Sequence, residues 1–157
     1  MGGLTYGLTD KFALEYMYHG LKSKNGDNTV AANGDEHEIN LLYSINKNFD
    51  GYVGWNRINN SGDAGASQVS NIAQLGLIAK VPLGKEANLY ARGAVGTHST
   101  YVWELGASTC ITKNADLAIG WRQVKNTDDS GNAAVGDVCS KYKGLFASVN
   151  FRFGGSK

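Results

Sequence analysis

Charge is scarce in this 157-residue chain: Asp, Glu, Lys and Arg make up only 18% of it and nearly cancel, at a formal +1. That balance leaves no strongly basic face for nucleic acid, so no nucleic-acid partner is expected. Proline occurs once, and cysteine only at Cys110 and Cys139. Two cysteines are too few for a disulfide framework. Cys110 falls near a tight turn and Cys139 in a long polar segment; at ~3.3 Å per strand residue they are expected far apart and unbridged. Neither has a histidine beside it in the sequence, so no metal or catalytic role is expected of them. No run of about 18 apolar residues exists, which excludes a transmembrane helix. The start, Met1-Gly2-Gly3-Leu4, lacks the basic residues and apolar stretch of an export signal, as expected of a mature or recombinant form. Tyr6 stands where a myristoylation motif needs Ser or Thr.

What is abundant is glycine (21 residues), tyrosine (8, against 5 Phe) and alternation. High Gly, Tyr and Asn with little charge favours strands over helices. Four times, an alternating run stops at a short polar turn and another begins at once. The turns are Leu8-Thr9-Asp10-Lys11, Asn46-Lys47-Asn48-Phe49, Gly84-Lys85-Glu86-Ala87 and Thr112-Lys113-Asn114-Ala115. The segments between hairpins, about Ser23–Glu36, Asn60–Ser70 and Asn126–Lys141, are long and polar, and only the one near Gly96–Thr100 is short. Tight turns at one end and long loops at the other describe an antiparallel up-and-down transmembrane β-barrel. Eight strands are expected, over 11–22, 37–46, 51–59, 71–82, 88–98, 101–111, 116–125 and 142–153, each of a length that crosses a bilayer when tilted.

Residues 1–157 then form one domain. Within it, residues 1–10 are an N-terminal segment on the tight-turn side and 154–157 a C-terminal extension. Counting the half-strand Gly2–Gly7 gives nine strands, whose first and last run the same way, and ordinary antiparallel closure fails. The alternative is that this segment is the remnant of an upstream strand, which makes the chain the C-terminal part of a barrel with ten or more strands.

Side chains alternate between two faces. One carries Phe12, Leu14, Tyr16, Tyr18, Ile39, Leu41, Tyr43, Val53, Trp55 and, through the later strands, Trp103, Leu105, Trp121, Phe151 and Phe153. No charge interrupts it before Arg57, near the loop end. The other face is Gly, Ser and Asn with a few isolated charges. A soluble, lipocalin-like barrel would turn the bulky face inward and leave an exterior too poor in charge. An eight-stranded bore also has little room for so many large side chains. The apolar face is therefore expected outside. Tyr18, Tyr101 and Trp103 toward the loops, and Tyr43, Phe151 and Phe153 toward the turns, are expected to form two aromatic belts.

The final strand, Lys143-Gly144-Leu145-Phe146-Ala147-Ser148-Val149-Asn150-Phe151-Arg152-Phe153, resembles the C-terminal signal strand of bacterial outer membrane proteins. Gly154-Gly155-Ser156-Lys157 follow it, a departure from the terminal aromatic of that pattern. Over residues 11–153 the layout is similar to the small barrels of the outer membrane protein A transmembrane-domain and outer membrane protein X class. The resemblance implies a multi-pass protein of the Gram-negative outer membrane. It implies outer membrane lipids and lipopolysaccharide around the wall, and barrel-assembly machinery reading the last strand. It also implies an interior salt-bridge network.

The expected inward charges are Glu15, Glu38 and Glu104 against Lys80, Arg92, Arg122 and Arg152. Isolated charges in a narrow, low-dielectric bore are costly and are expected to pair and plug it. The function expected is a structural, anchoring or loop-binding barrel, with an extracellular ligand at the long loops. The alternative is a narrow porin-like channel for small solutes, or a fragment of a larger porin. Asp35-Glu36-His37-Glu38 and Asp128-Asp129-Ser130-Gly131-Asn132 lack the calcium-loop spacing with its closing Glu, so no metal or cofactor is expected at either. No catalytic residues are expected: His98-Ser99 and Glu104 are the only local hydrolase candidates, and adjacent strand residues point apart. His19 and His37 are expected at the loop rim.

Overall fold

The computed structural model describes residues 1–24, 30–62, 67–128 and 138–154. Nine strands close into one barrel. They are β1 (Gly2–Gly7), β2 (Phe12–Lys24), β3 (Val30–Asn46), β4 (Phe49–Gly62), β5 (Ser67–Leu83), β6 (Ala87–Gly96), β7 (Thr100–Thr112), β8 (Ala115–Asp128) and β9 (Val138–Gly154). Successive strands pair antiparallel, and all four tight turns lie where the sequence puts them. The sequence spans stop short at the loop end. The strand pairing carries β3 from Val30 and β5 from Ser67. The third loop-end connection, between Gly96 and Thr100, is a tight turn. His98 (φ 57°) and Ser99 (φ 49°) occupy the left-handed region, and Thr100 N–H donates to Thr97 C=O at 3.2 Å. That is the type I′ geometry that suits the twist of a hairpin. Of the acidic run 128–132, only Asp128 lies within the described residues, and residues 155–157 of the C-terminal extension lie outside them.

The expected eight strands are corrected to nine. Gly2–Gly7 is a strand of the wall: it pairs antiparallel with β2 (Leu4 opposite Tyr16) and parallel with β9 (Leu4 opposite Phe151). Its alternation matches its neighbours, with Leu4 and Tyr6 exposed on the outside. Gly3 has no side chain where a Cβ would stand 2.5 Å from Asn150 Oδ1. One parallel seam among antiparallel pairs is slightly weaker per residue, but it leaves the lower wall with no open strand edge. β1 is short, however. Above Gly2, β2 continues from His19 to Lys24 and β9 from Ser148 back to Val138. Among the described residues no strand lies between them. A cavity of about 550 Å³ opens in this notch, bordered by Tyr18, Leu21, Tyr142 and Leu145, and reaches Arg122.

The outer face is apolar. Leu14, Tyr16, Ile39, Leu41, Val53, Trp55, Leu75, Leu105, Ile119 and Val149 are all exposed, and Leu145 at the notch is 87% exposed. The belt residues Tyr18, Tyr43, Trp103, Phe151 and Phe153 are exposed on this face, and Tyr101 is half-buried on it. The rings of Phe12 and Tyr43 lie 5.1 Å apart and those of Trp103 and Trp121 4.3 Å apart. The inner face is less uniformly polar than its Gly, Ser and Asn suggest. Leu21, Leu42, Tyr52, Ile58, Ile72, Ile78, Val102, Val124 and Tyr142 are buried in the bore.

Glycines let the strands and inner side chains approach. A Cβ at Gly120 would lie 2.7 Å from Gly106 Cα and closer still to the Leu105 carbonyl oxygen, both backbone atoms that cannot swing away. Gly120→Ala should therefore destabilise the fold by about 1–3 kcal/mol. Gly93→Ala, with open space around the new methyl, should change stability by less than ~0.5 kcal/mol. Urea titrations of the two refolded variants compare them directly.

Candidate functional site: a charge cluster across the bore

The alternation of β2, β3, β6, β7 and β8 turns Glu15, Glu36, Glu38, Arg92, Glu104 and Arg122 into the bore. The cross-strand register sets Arg92 opposite Glu104, and Glu104 opposite Arg122. Arg122 is the hub. Its Nη1 donates to Glu104 Oε2 at 2.8 Å, and its Nη2 to Glu36 Oε1 at 2.9 Å and to Glu38 Oε1. Arg92 is the second hub. Its Nη1 is 2.9 Å from Glu15 Oε1, and its Nη2 donates to Glu38 Oε2 at 3.1 Å. Its Nε donates to the Tyr52 hydroxyl at 3.1 Å, and the guanidinium carbon lies 4.4 Å from the centre of that ring. Glu38 thus takes both arginines, one on each oxygen.

Neutral groups complete the cluster. Gln74 Nε2 donates to Glu38 Oε2 at 3.0 Å and to Asn40 Oδ1 at 2.9 Å. Asn40 Nδ2 donates to Glu15 Oε1 at 3.1 Å, Asn56 Nδ2 to Glu36 Oε1 at 2.5 Å, and the Tyr90 hydroxyl to Glu104 Oε1 at 2.7 Å. Glu36, Glu38, Asn40 and Asn56 are at most 1% exposed. Such charges are tolerable in a low-dielectric interior only when paired and hydrogen-bonded in this way.

Of the seven charges expected in the lumen, five meet: Glu15, Glu38, Arg92, Glu104 and Arg122. Lys80 and Arg152 stand apart toward the turn end, their side chains 43% and 53% exposed, where they pair with Asp50 and Asp116 respectively. Glu36 is the charge the sequence reading misses. Its polar surroundings look like loop, yet it shares the parity of Glu38 and Asn40, which is the signal that places it in the bore. His19 is corrected from rim to interior, at 1% exposure. His37 does face out, with its Nδ1 2.7 Å from the Tyr16 hydroxyl and its ring 5.1 Å from that of Tyr18. The run Asp35-Glu36-His37-Glu38 is split by the pleat: Glu36 and Glu38 enter the bore, whereas Asp35 and His37 pair with each other at 2.9 Å toward the outside. His98 and Ser99 sit exposed in their turn while Glu104 is buried, so those three are not brought together.

The cluster separates two cavities. The one entered through the wall notch ends on Arg122. A second, of about 200 Å³, lies on the turn side and ends on Glu15, Arg92 and Glu104. Comparison with protein-family models, curated proteins and solved structures finds no match.

Proposed function

We propose that this barrel spans a bacterial outer membrane and is closed by its charge cluster, serving as a structural or anchoring element that carries binding loops, without enzymatic activity. The observation that carries the closed reading is the position of Arg92, Arg122 and their four glutamates between the two cavities. The membrane reading is supported by the apolar wall around a polar centre, the inverse of a water-soluble surface. The sequence likeness to the outer membrane protein A and X class adds the outer membrane as the compartment.

Two measurements test it. The purified, refolded chain should give little steady conductance in planar bilayers. Large, stable, ohmic channels would instead establish the porin-like reading. Leu105, in the middle of β7, is 59% exposed on the outer wall. Leu105→Lys should cost about 2–4 kcal/mol of folding into lipid vesicles if that position lies near the bilayer midplane. Vesicle-folded fractions read by heat-dependent gel mobility would show the loss. A variant that folds normally and becomes more soluble without lipid would favour a water-soluble barrel.

A further inference from the structure

Four carboxylates in the cluster (Glu15, Glu36, Glu38 and Glu104) face only two guanidiniums, Arg92 and Arg122. With all four ionised, the direct contacts would leave two negative charges uncompensated inside the bore, an arrangement a low-dielectric site does not sustain without protons or a further cation. On one side of the cluster, polar atoms are also left over. His19 is 1% exposed, and neither its Nδ1 nor its Nε2 makes a hydrogen bond. A buried imidazole always has at least one donor to satisfy, and leaving both nitrogens unpaired is costly. Glu36 spends Oε1 on Arg122 and Asn56, while its Oε2 is buried without a partner. Glu38 Oε1 lies 3.6 Å from His19 Nε2.

These leftovers converge. One ligand atom each from His19, Glu36 and Glu38 lie within 4.8 Å of one another, and all three residues are buried. Two donors bound tetrahedrally at about 2.1 Å from one ion are about 3.4 Å apart, close to the His19–Glu38 separation. We propose that His19, Glu36 and Glu38 bind one divalent transition-metal ion of the zinc type. The imidazole favours such an ion over calcium or magnesium, which take oxygen ligands. The ion would bring two positive charges to a cluster in excess by two negative ones. It would also give a partner to the imidazole and to Glu36 Oε2, and tie β2 to β3 inside the bore. The run Asp35-Glu36-His37-Glu38 thus supplies cation ligands only through its inward half, completed by a histidine from the neighbouring strand.

The test uses the whole chain refolded in detergent micelles and stripped with chelator, so it does not depend on membrane insertion or on conductance. Titration with zinc should show about one ion per chain, bound with a Kd on the order of 10 µM or tighter. Cobalt in its place should give a visible ligand-field band. His19→Gln and Glu36→Gln should each weaken zinc binding about ten-fold or more, whereas His37→Gln and His98→Gln should leave it within about two-fold. If a bore variant does not refold, carbethoxylation of the wild-type histidines, mapped by mass spectrometry, decides instead: zinc should protect His19 selectively. The proposal is overturned by the absence of stoichiometric binding, which would leave protons to balance the charge. Binding that survives His19→Gln and is lost in His37→Gln, or zinc that leaves His19 unprotected, overturns it equally.

Discussion

Arg122→Ala should cost the barrel about 3–5 kcal/mol, the range expected when one partner of a buried ion pair is removed and the other stays. Three carboxylates depend on this guanidinium: Glu36, Glu38 and Glu104. Its loss leaves them facing one another with Arg92 as the nearest cation, bound to Glu15 and Glu38. The charge left behind matters more than the lost attraction. The triple substitution Arg122→Met, Glu36→Gln, Glu104→Gln removes opposite charges together and should recover most of the stability. Urea unfolding of the refolded variants in micelles measures both. A loss under ~1 kcal/mol for Arg122→Ala would mean that the bore is wet enough to solvate the glutamates, as at a surface pair. Arg92→Ala should also destabilise, and the double variant should depart from additivity because both arginines bind Glu38.

The same cluster shows how far the sequence can be read. Hairpins and faces are legible because the strand period is two: once the turns are fixed, the outward Leu, Tyr and Trp of the wall and five of the six Arg and Glu of the cluster follow. Glu36 and His19 were lost at the loop ends. There polar composition looks like loop, while strand pairing, not hydropathy, decides where the wall stops. The parity of Glu38 and Asn40, continued two residues back, includes Glu36. His19 follows likewise from Glu15 and Met17. The apolar lumen residues Leu42, Ile58, Ile72 and Val124 were missed for the opposite reason. A binary pattern assigns apolar side chains to the outer face, yet in this bore they pack around the charges and deepen their desolvation.

Closure was the least legible part of the fold, because it depends on residues at opposite ends of the sequence. The short run Gly2–Gly7 carries no turn signal of its own before it, and a count that insists on antiparallel closure discards it. The register makes it an interior strand, with partners on both sides from Tyr18 down to Ala13 and from Val149 down to Gly154. Leu4→Pro tests this directly. A residue within a doubly paired strand has its N–H committed to a ladder, so proline there removes a bond that cannot be replaced by solvent and clashes with its neighbours. The expected loss is about 3 kcal/mol or more, with failure to reach the compact form seen on a cold denaturing gel. Leu4→Val, which keeps the N–H and an apolar outer face, should fold normally. An eight-stranded barrel of residues 11–153 makes the contrary forecast. Its N-terminal segment hangs free, so Leu4→Pro should be silent and removal of residues 1–7 harmless. In the nine-stranded barrel that removal opens a slot between β2 and β9 along their full paired length with β1, joining the wall notch to the turn-side cavity beneath the arginines.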